Sequence, residues 1–299
     1  MSKFFNETQR AQDWSTKQTN KKFDLPQVLE AIRGPLAGLV DEAEHANGNG
    51  VSPAIGGATL SLCPKIRLPQ QSDTPVLFPR NDFMEAAVES YRALRTRILR
   101  LQAQKGLRSI VISSAVPGEG KTSTTANLAL CCAQLNDMPV MVIDGDLRTR
   151  GLTTLLGKVP SPGLGEILSG QASFEEAVRA TDMGNLYVLG AGSSNTPPPA
   201  LYSGDRWKEL IGKSAEHFKL IIVDSPPIVP LADFEQISAA CDAVLAVVRT
   251  HHARKDILKK ASGTIDPSKL IGVVLNASIT DRKEFRYNYY GYDAKTGKP

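Results

Sequence analysis

The stretch Arg108-Ser109-Ile110-Val111-Ile112-Ser113-Ser114-Ala115-Val116-Pro117-Gly118-Glu119-Gly120-Lys121-Thr122 decides how this chain is read. Its first half is a short apolar run between polar residues, the pattern of a strand buried on both faces. Its second half places two glycines one residue apart before a lysine and a threonine, and opens a helical pattern that runs to about Asn136. A strand, a glycine turn and a helix in that order form the context in which such a turn binds phosphate. Gly118 and Gly120 let backbone N–H groups close around phosphate oxygens, helped by the positive end of the helix dipole. Lys121 is expected to reach the β- and γ-phosphates, and the Thr122 hydroxyl to ligate Mg2+. Pro117, Glu119 and Ser123 complete the candidate nucleotide loop. The strict pattern has glycine where this chain has Ala115, so the match is one residue short.

Outward from this stretch the apolar runs recur. Strands are predicted at 108–114, 139–144, 186–189, 220–223, 243–248 and 270–275, with helices over 83–104, 203–216 and 253–262 and short helices within 150–180. Continuous apolar strands alternating with helices predict an α/β fold, a doubly wound, mostly parallel sheet with helices on both faces. Residues 1–80 are poor in strand signals and rich in breakers, notably Asn47-Gly48-Asn49-Gly50. They read as an extension, either a linker or an arm docking a partner or lipid headgroups. The core domain is expected over 81–276 and a flexible tail over 277–299.

Two further strand ends carry acids. Val142-Ile143-Asp144-Gly145-Asp146-Leu147-Arg148 places two carboxylates just past one strand. In a doubly wound sheet they would stand beside the phosphates. Alone, each Asp would read as a turn or helix cap. Ile221-Ile222-Val223-Asp224-Ser225-Pro226-Pro227 ends another strand on an acid, the second acidic element of phosphate-loop enzymes, where it anchors Mg2+.

Composition narrows the classes. The chain has 299 residues, 41% hydrophobic, enough for one full core, and a formal net charge of +4, ordinary for a soluble protein. Four cysteines lack metal-ligand spacing; Cys131 and Cys132 read as small core residues of a helix. The N-terminus lacks the apolar core of a signal peptide, and no run reaches the ~20 apolar residues of a spanning helix. His251-His252 lacks an evident third metal ligand. Four of the seven tyrosines, Tyr287, Tyr289, Tyr290 and Tyr292, crowd the C-terminus. They could form a final strand, an adhesive polar-aromatic segment or a phosphate acceptor. No wider basic-aromatic surface supports nucleic-acid stacking there.

The three elements, in this order, resemble the Walker A, Walker A′ and Walker B motifs of the bacterial tyrosine kinases (BY-kinases) of capsular and exopolysaccharide synthesis. The likeness spans about residues 83–292. It includes Glu89, Arg92 and Arg95, spaced as that family's E-x-x-R-x-x-R helix motif, and the terminal tyrosines. The resemblance implies an ATP- and Mg2+-dependent autokinase. Thr122, Asp146 and Asp224 would organise Mg2+, Asp144 would accept the tyrosine proton, and Tyr287, Tyr289, Tyr290 and Tyr292 would receive phosphate. The roles of Asp144 and Asp146 could exchange. Asn276 resembles the strand-end Asn that contacts adenine in related ATPases. Glu89, Arg92 and Arg95 would build a ring-like homo-oligomer; by sequence alone they are an ordinary solvated helix face. A separate membrane chain-length regulator would activate the kinase, which would be cytoplasmic and peripherally membrane-associated, and polysaccharide-synthesis enzymes are further substrates. The alternative is a cell-division or partition switch ATPase. Those proteins carry a lysine one residue after the first loop glycine; here that position is Val116, followed by Pro117.

Overall fold

The structure, a computed structural model, describes residues 60, 62–69, 85–229 and 232–276. Eight strands among them form one sheet: β1 Lys65–Ile66, β2 Ser109–Ser114, β3 Val140–Asp144, β4 Arg179–Thr181, β5 Leu186–Leu189, β6 Leu220–Asp224, β7 Ala243–Arg249 and β8 Leu270–Asn276. Their spatial order is β1-β4-β5-β3-β6-β2-β7-β8. Every pairing is parallel except β4 with β5.

Nine helices connect them among the described residues: α1 Glu85–Lys105, α2 Lys121–Ala133, α3 Gly151–Leu155, α4 Leu164–Ser169, α5 Phe174–Ala177, α6 Pro198–Tyr202, α7 Asp205–His217, α8 Asp233–Ala239 and α9 Lys255–Thr264. Strands β2, β3 and β6 are buried throughout because successive side chains enter opposite cores. Ile110 and Ile112 of β2, Val140 and Val142 of β3, and Leu220 and Ile222 of β6 pack with Ile98 of α1, Leu128 of α2 and Leu152 of α3. Val111, Met141, Ile143, Ile221 and Val223 face the other side, against Leu164 of α4, Trp207 of α7, Phe234 of α8 and Leu258 of α9. This is the predicted doubly wound fold. Cys131 and Cys132 are buried in α2, as expected.

Differences lie at the edge and in the connections. The stretch 150–180 holds three short helices, but its end, Arg179–Thr181, is strand β4. Three residues with an arginine and a threonine carry no readable alternation; β4 exists because it pairs with β5 and β1. Its Arg179 guanidinium is buried and satisfied by carbonyls, those of Glu176, Pro160 (3.4 Å) and Pro162 (3.2 Å). The strand-poor extension also contributes β1, and Cys63 beside it is buried. Helices α6 and α8 carried no predicted element. The remainder of 1–80 and all of 277–299 fall outside the described residues.

Candidate active site

The spatial order of strands creates the site. β2 lies between β6 and β7, and β6 separates it from β3, so the carboxyl ends that carry the three motifs stand side by side. Asp224 is in register with Ile112 of β2 and with Asp144 of β3. Gly145 N–H donates to Asp224 O at 2.8 Å, and a Cβ on Gly145 would itself meet that oxygen at 2.8 Å. Only glycine lets the turn after β3 come this close to β6.

The loop after β2 turns through left-handed conformations at Gly118 (φ 82°) and Gly120 (φ 93°), which glycine adopts without a Cβ penalty. Ala115 has no positive φ, and it packs in the core, so the missing glycine has no conformational consequence. The loop is held from behind. Buried Glu119 accepts from Val116 N (2.9 Å) and Arg249 N (3.3 Å). Arg249 Nη1 donates to Gly118 O (3.3 Å) and His252 Nε2 to Pro117 O (2.8 Å). Asn276 Nδ2 donates to Glu119 O at 2.8 Å, so its amide clamps the loop while the residue lines the cleft. Burial pushes the Glu119 carboxyl above its ordinary range.

A cleft of about 610 Å3 opens over the loop, lined by Pro117, Gly118, Gly120, Lys121, Thr122, Ser123 and Asp146 among others. Lys121 Nζ lies 3.1 Å from Asp146 Oδ2 and 3.9 Å from Asp224 Oδ2. Thr122 Oγ1 donates to Asp224 Oδ2 at 2.8 Å and Thr125 Oγ1 to Asp224 Oδ1 at 3.3 Å. Burial, opposed by the Lys121 ammonium, pushes the Asp224 carboxyl up to about 7. An ammonium, a threonine hydroxyl and carboxylates meeting at a glycine loop form a hard-oxygen site that suits a nucleotide phosphate chain carrying a divalent cation.

Asp144 stands apart. Its Oδ2 accepts from Thr153 N (2.7 Å) and Thr153 Oγ1 (2.6 Å), its Oδ1 from Asp146 N (3.2 Å), and it does not line the cleft. Burial raises it above the usual carboxylate range. The expectation that Asp144 takes the tyrosine proton therefore meets a geometric obstacle: its oxygens are engaged inside the turn, and Asp146 is the carboxylate on the cleft wall. Thr153 carried no sequence signal, and neither did the cleft residues Thr149 and Arg249.

On α1, Glu89 and Arg92 form an exposed ion pair of 3.3 Å. Arg95 turns inward and donates to Cys131 O at 2.8 Å, in the last turn of α2. The four terminal tyrosines lie outside the described residues. No helix among the described residues is long and apolar enough to cross a membrane.

No known family profile matches the chain. It is 34% identical over 205 residues to tyrosine-protein kinase YwqD of Bacillus subtilis, covering 68% of this chain and 86% of that one. It is 35% identical over 216 residues to tyrosine-protein kinase CpsD of Streptococcus pneumoniae, covering 70% and 90%. Among solved structures, the chimerical protein CapA2B2 superposes with a TM-score of 0.61 at 26% identity, covering 73% of this chain and 95% of that one. The cell division ATPase MinD of Pyrococcus furiosus is more distant, with a TM-score of 0.50 at 27% identity over 58% of this chain and 74% of its own. With its nucleotide-binding P-loop core and its identity to named kinases over most of their length, the chain belongs to the bacterial tyrosine-protein kinases.

Proposed function

We propose that the chain moves the γ-phosphoryl group of ATP onto tyrosine hydroxyls, those of its own Tyr287, Tyr289, Tyr290 and Tyr292 among them, and thereby regulates exopolysaccharide synthesis. The observation that carries the mechanism is the meeting of Lys121, Thr122 and Asp146 on one cleft, with the buried Asp224 bonded to Thr122 beneath it, all from three adjacent strand ends. Lys121 and the loop amides bind the phosphates and offset charge in the transition state. The acceptor oxygen bonds to Pγ as the bond from Pγ to the bridging oxygen breaks, and ADP leaves. The phenol proton passes to Asp146, whose Oδ2 already faces the Lys121 ammonium. Asp144 positions the turn that presents Asp146. Thr122 and Asp224 are hard oxygen donors that fit Mg2+, which when bound supplies charge neutralisation at the phosphates. Asn276 and Arg249 wall the loop on the β7–β8 side.

The exposed Glu89–Arg92 pair supports assembly of copies through α1, with Arg95 fixing that helix to α2. From Asn276 to Tyr287 the chain adds eleven residues, up to ~37 Å extended, enough to reach a neighbouring copy. A membrane chain-length regulator is the partner that would bring the kinase to the membrane surface. Incubation with Mg-ATP, phosphosite mapping by mass spectrometry and a Lys121→Met control test this reading. Phosphate on the terminal tyrosines that disappears in the control supports it. ATP hydrolysis with bare tyrosines, activator segment present, would favour a switch ATPase.

A further inference from the structure

The two edges of the sheet are built differently. At one, β1 is two residues long, carries Lys65 and follows Pro64, features that discourage a further strand from pairing. At the other, β8 runs seven residues with no charge and no proline. Among the described residues no strand pairs with its outer side. Its inner neighbour β7 is buried from Ala243 to Val248, whereas β8 is only half-buried from Ile271 onward. The half-burial affects both faces: Val273 and Leu275 lean on one core, Ile271 and Val274 on the other. A strand short of cover on both faces lacks a lateral neighbour rather than a helix, because a helix covers one face only.

Alternate main-chain N–H and C=O groups of such a strand point outward, so the open edge offers hydrogen bonds along with apolar surface. The chain itself supplies an occupant. From Asn276 it continues through residues 277–285 to Arg286-Tyr287-Asn288-Tyr289-Tyr290-Gly291-Tyr292, seven residues to match the seven of β8. Tyrosine favours strands. Alternation would set Tyr287 and Tyr289 on one face and Tyr290 and Tyr292 on the other, two rings for each half-covered core. The connecting residues leave room for the chain to reverse, and the tether supplies an effective concentration on the order of millimolar.

We infer that residues 286–292 dock antiparallel on the outer edge of β8 as a further strand, and that phosphate on their tyrosines releases them. β8 points its carboxyl end at the nucleotide cleft, which Asn276 lines, so an antiparallel return carries the tyrosines away from the cleft. The docked state therefore stores the tyrosines apart from the phosphate site. Each phosphate adds about −1.5 to −2 charges, which cannot lie against the valine and leucine side chains of this edge. The docking stands independently of the kinase reading; only the release by phosphate rests on it.

Hydrogen exchange read by mass spectrometry on the full-length, nucleotide-free protein tests the docking. Amides of 286–292 are expected to exchange roughly tenfold or more slowly than in a free peptide of the same sequence. Asn288→Pro with Gly291→Pro keeps all four tyrosines and puts proline at both parities of the strand, so at least one removes a ladder donor. In that variant exchange should rise roughly tenfold or more across both 286–292 and 271–275. Tyr287→Glu, Tyr289→Glu, Tyr290→Glu and Tyr292→Glu in one full-length chain should do the same by charge alone. Free-peptide exchange across 286–292 in the parent would overturn the docking, as would β8 exchange that the proline variant leaves unchanged. Protection that fades on dilution would place a second copy on the edge and overturn it equally. Protection retained in the glutamate variant would overturn the release. Exchange is measured without nucleotide, so the result is independent of whether the protein labels tyrosine, and failure of the kinase reading is seen separately.

Discussion

Replacing Asp224 by Asn should make the nucleotide-free protein more stable at alkaline pH, although it removes a residue central to the site. Asp224 is fully buried and its carboxyl is raised from 3.8 to about 7, chiefly by loss of solvent. The unfolded carboxylate ionises near 3.8 and the folded one only near 7, so between these values unfolding releases a proton and stability falls as pH rises. At about 1.4 kcal/mol per pH unit, the destabilisation from ionising this carboxyl grows by roughly 2–3 kcal/mol between pH 5 and pH 8. Asparagine carries no such dependence. Contributions from its packing and amide hydrogen bonds are the same at both pH values, so they cancel in the difference. Lys121 keeps Asp146 at 3.1 Å in the variant and is not left as a lone buried charge. The stability gap between variant and parent should therefore widen by roughly 2–3 kcal/mol from pH 5 to pH 8, or about 5–10 °C in Tm for a domain of this size. Thermal unfolding in EDTA without nucleotide, followed by calorimetry and by emission of the buried Trp207, measures it directly. A gap that stays constant or narrows toward pH 8 would refute the reasoning.

Three other substitutions probe separate links. Gly120→Ala demands a side chain at φ 93° and a Cβ 2.0 Å from Asn276 Nδ2; it should cost about 1–3 kcal/mol of stability and abolish ATP binding, read by calorimetric titration. Asp146→Asn should lower kcat by two or more orders of magnitude with ATP affinity largely kept. Asp144→Asn should lower kcat less and cost ~1–2 kcal/mol of stability by weakening its bonds to Thr153; equal kcat losses would return the proton-accepting role to Asp144. Arg95→Ala should destabilise the monomer by about 1 kcal/mol through the lost bond to Cys131 O, whereas Arg92→Ala should change only assembly size, measured by light scattering with multi-angle detection.

Much of the fold was legible because its strands are buried on both faces. Runs such as Val140–Asp144, Leu220–Asp224 and Ala243–Arg249 are apolar in all but their last residue, and few other environments tolerate that. The elements that were not legible are those whose stability comes from neighbours. β1 and β4, two and three residues long, have no pattern of their own and form because an edge of the sheet accepts them. Helices α6 and α8, five and seven residues long, are held by contacts such as Tyr202 against Trp207, rings edge-on at 5.4 Å.

In the site, local pattern was enough to find the polar groups at the strand ends: Lys121 and Thr122 behind a glycine turn, and Asp144, Asp146 and Asp224 at or just past the ends of apolar runs. Strand-end position is a local property, set by where hydrophobicity stops. Which of those side chains faces the cleft follows from the packing of the strands. The order β3-β6-β2 brought Asp224 within reach of Lys121 and Thr122. The close approach at Gly145 turned Asp146 to the cleft, while Thr153, nine residues on, drew Asp144 away from it. The Thr122–Asp224 bond joins residues 102 apart and the Thr153–Asp144 bond links a strand end to the following helix, so no pattern within one segment encodes them.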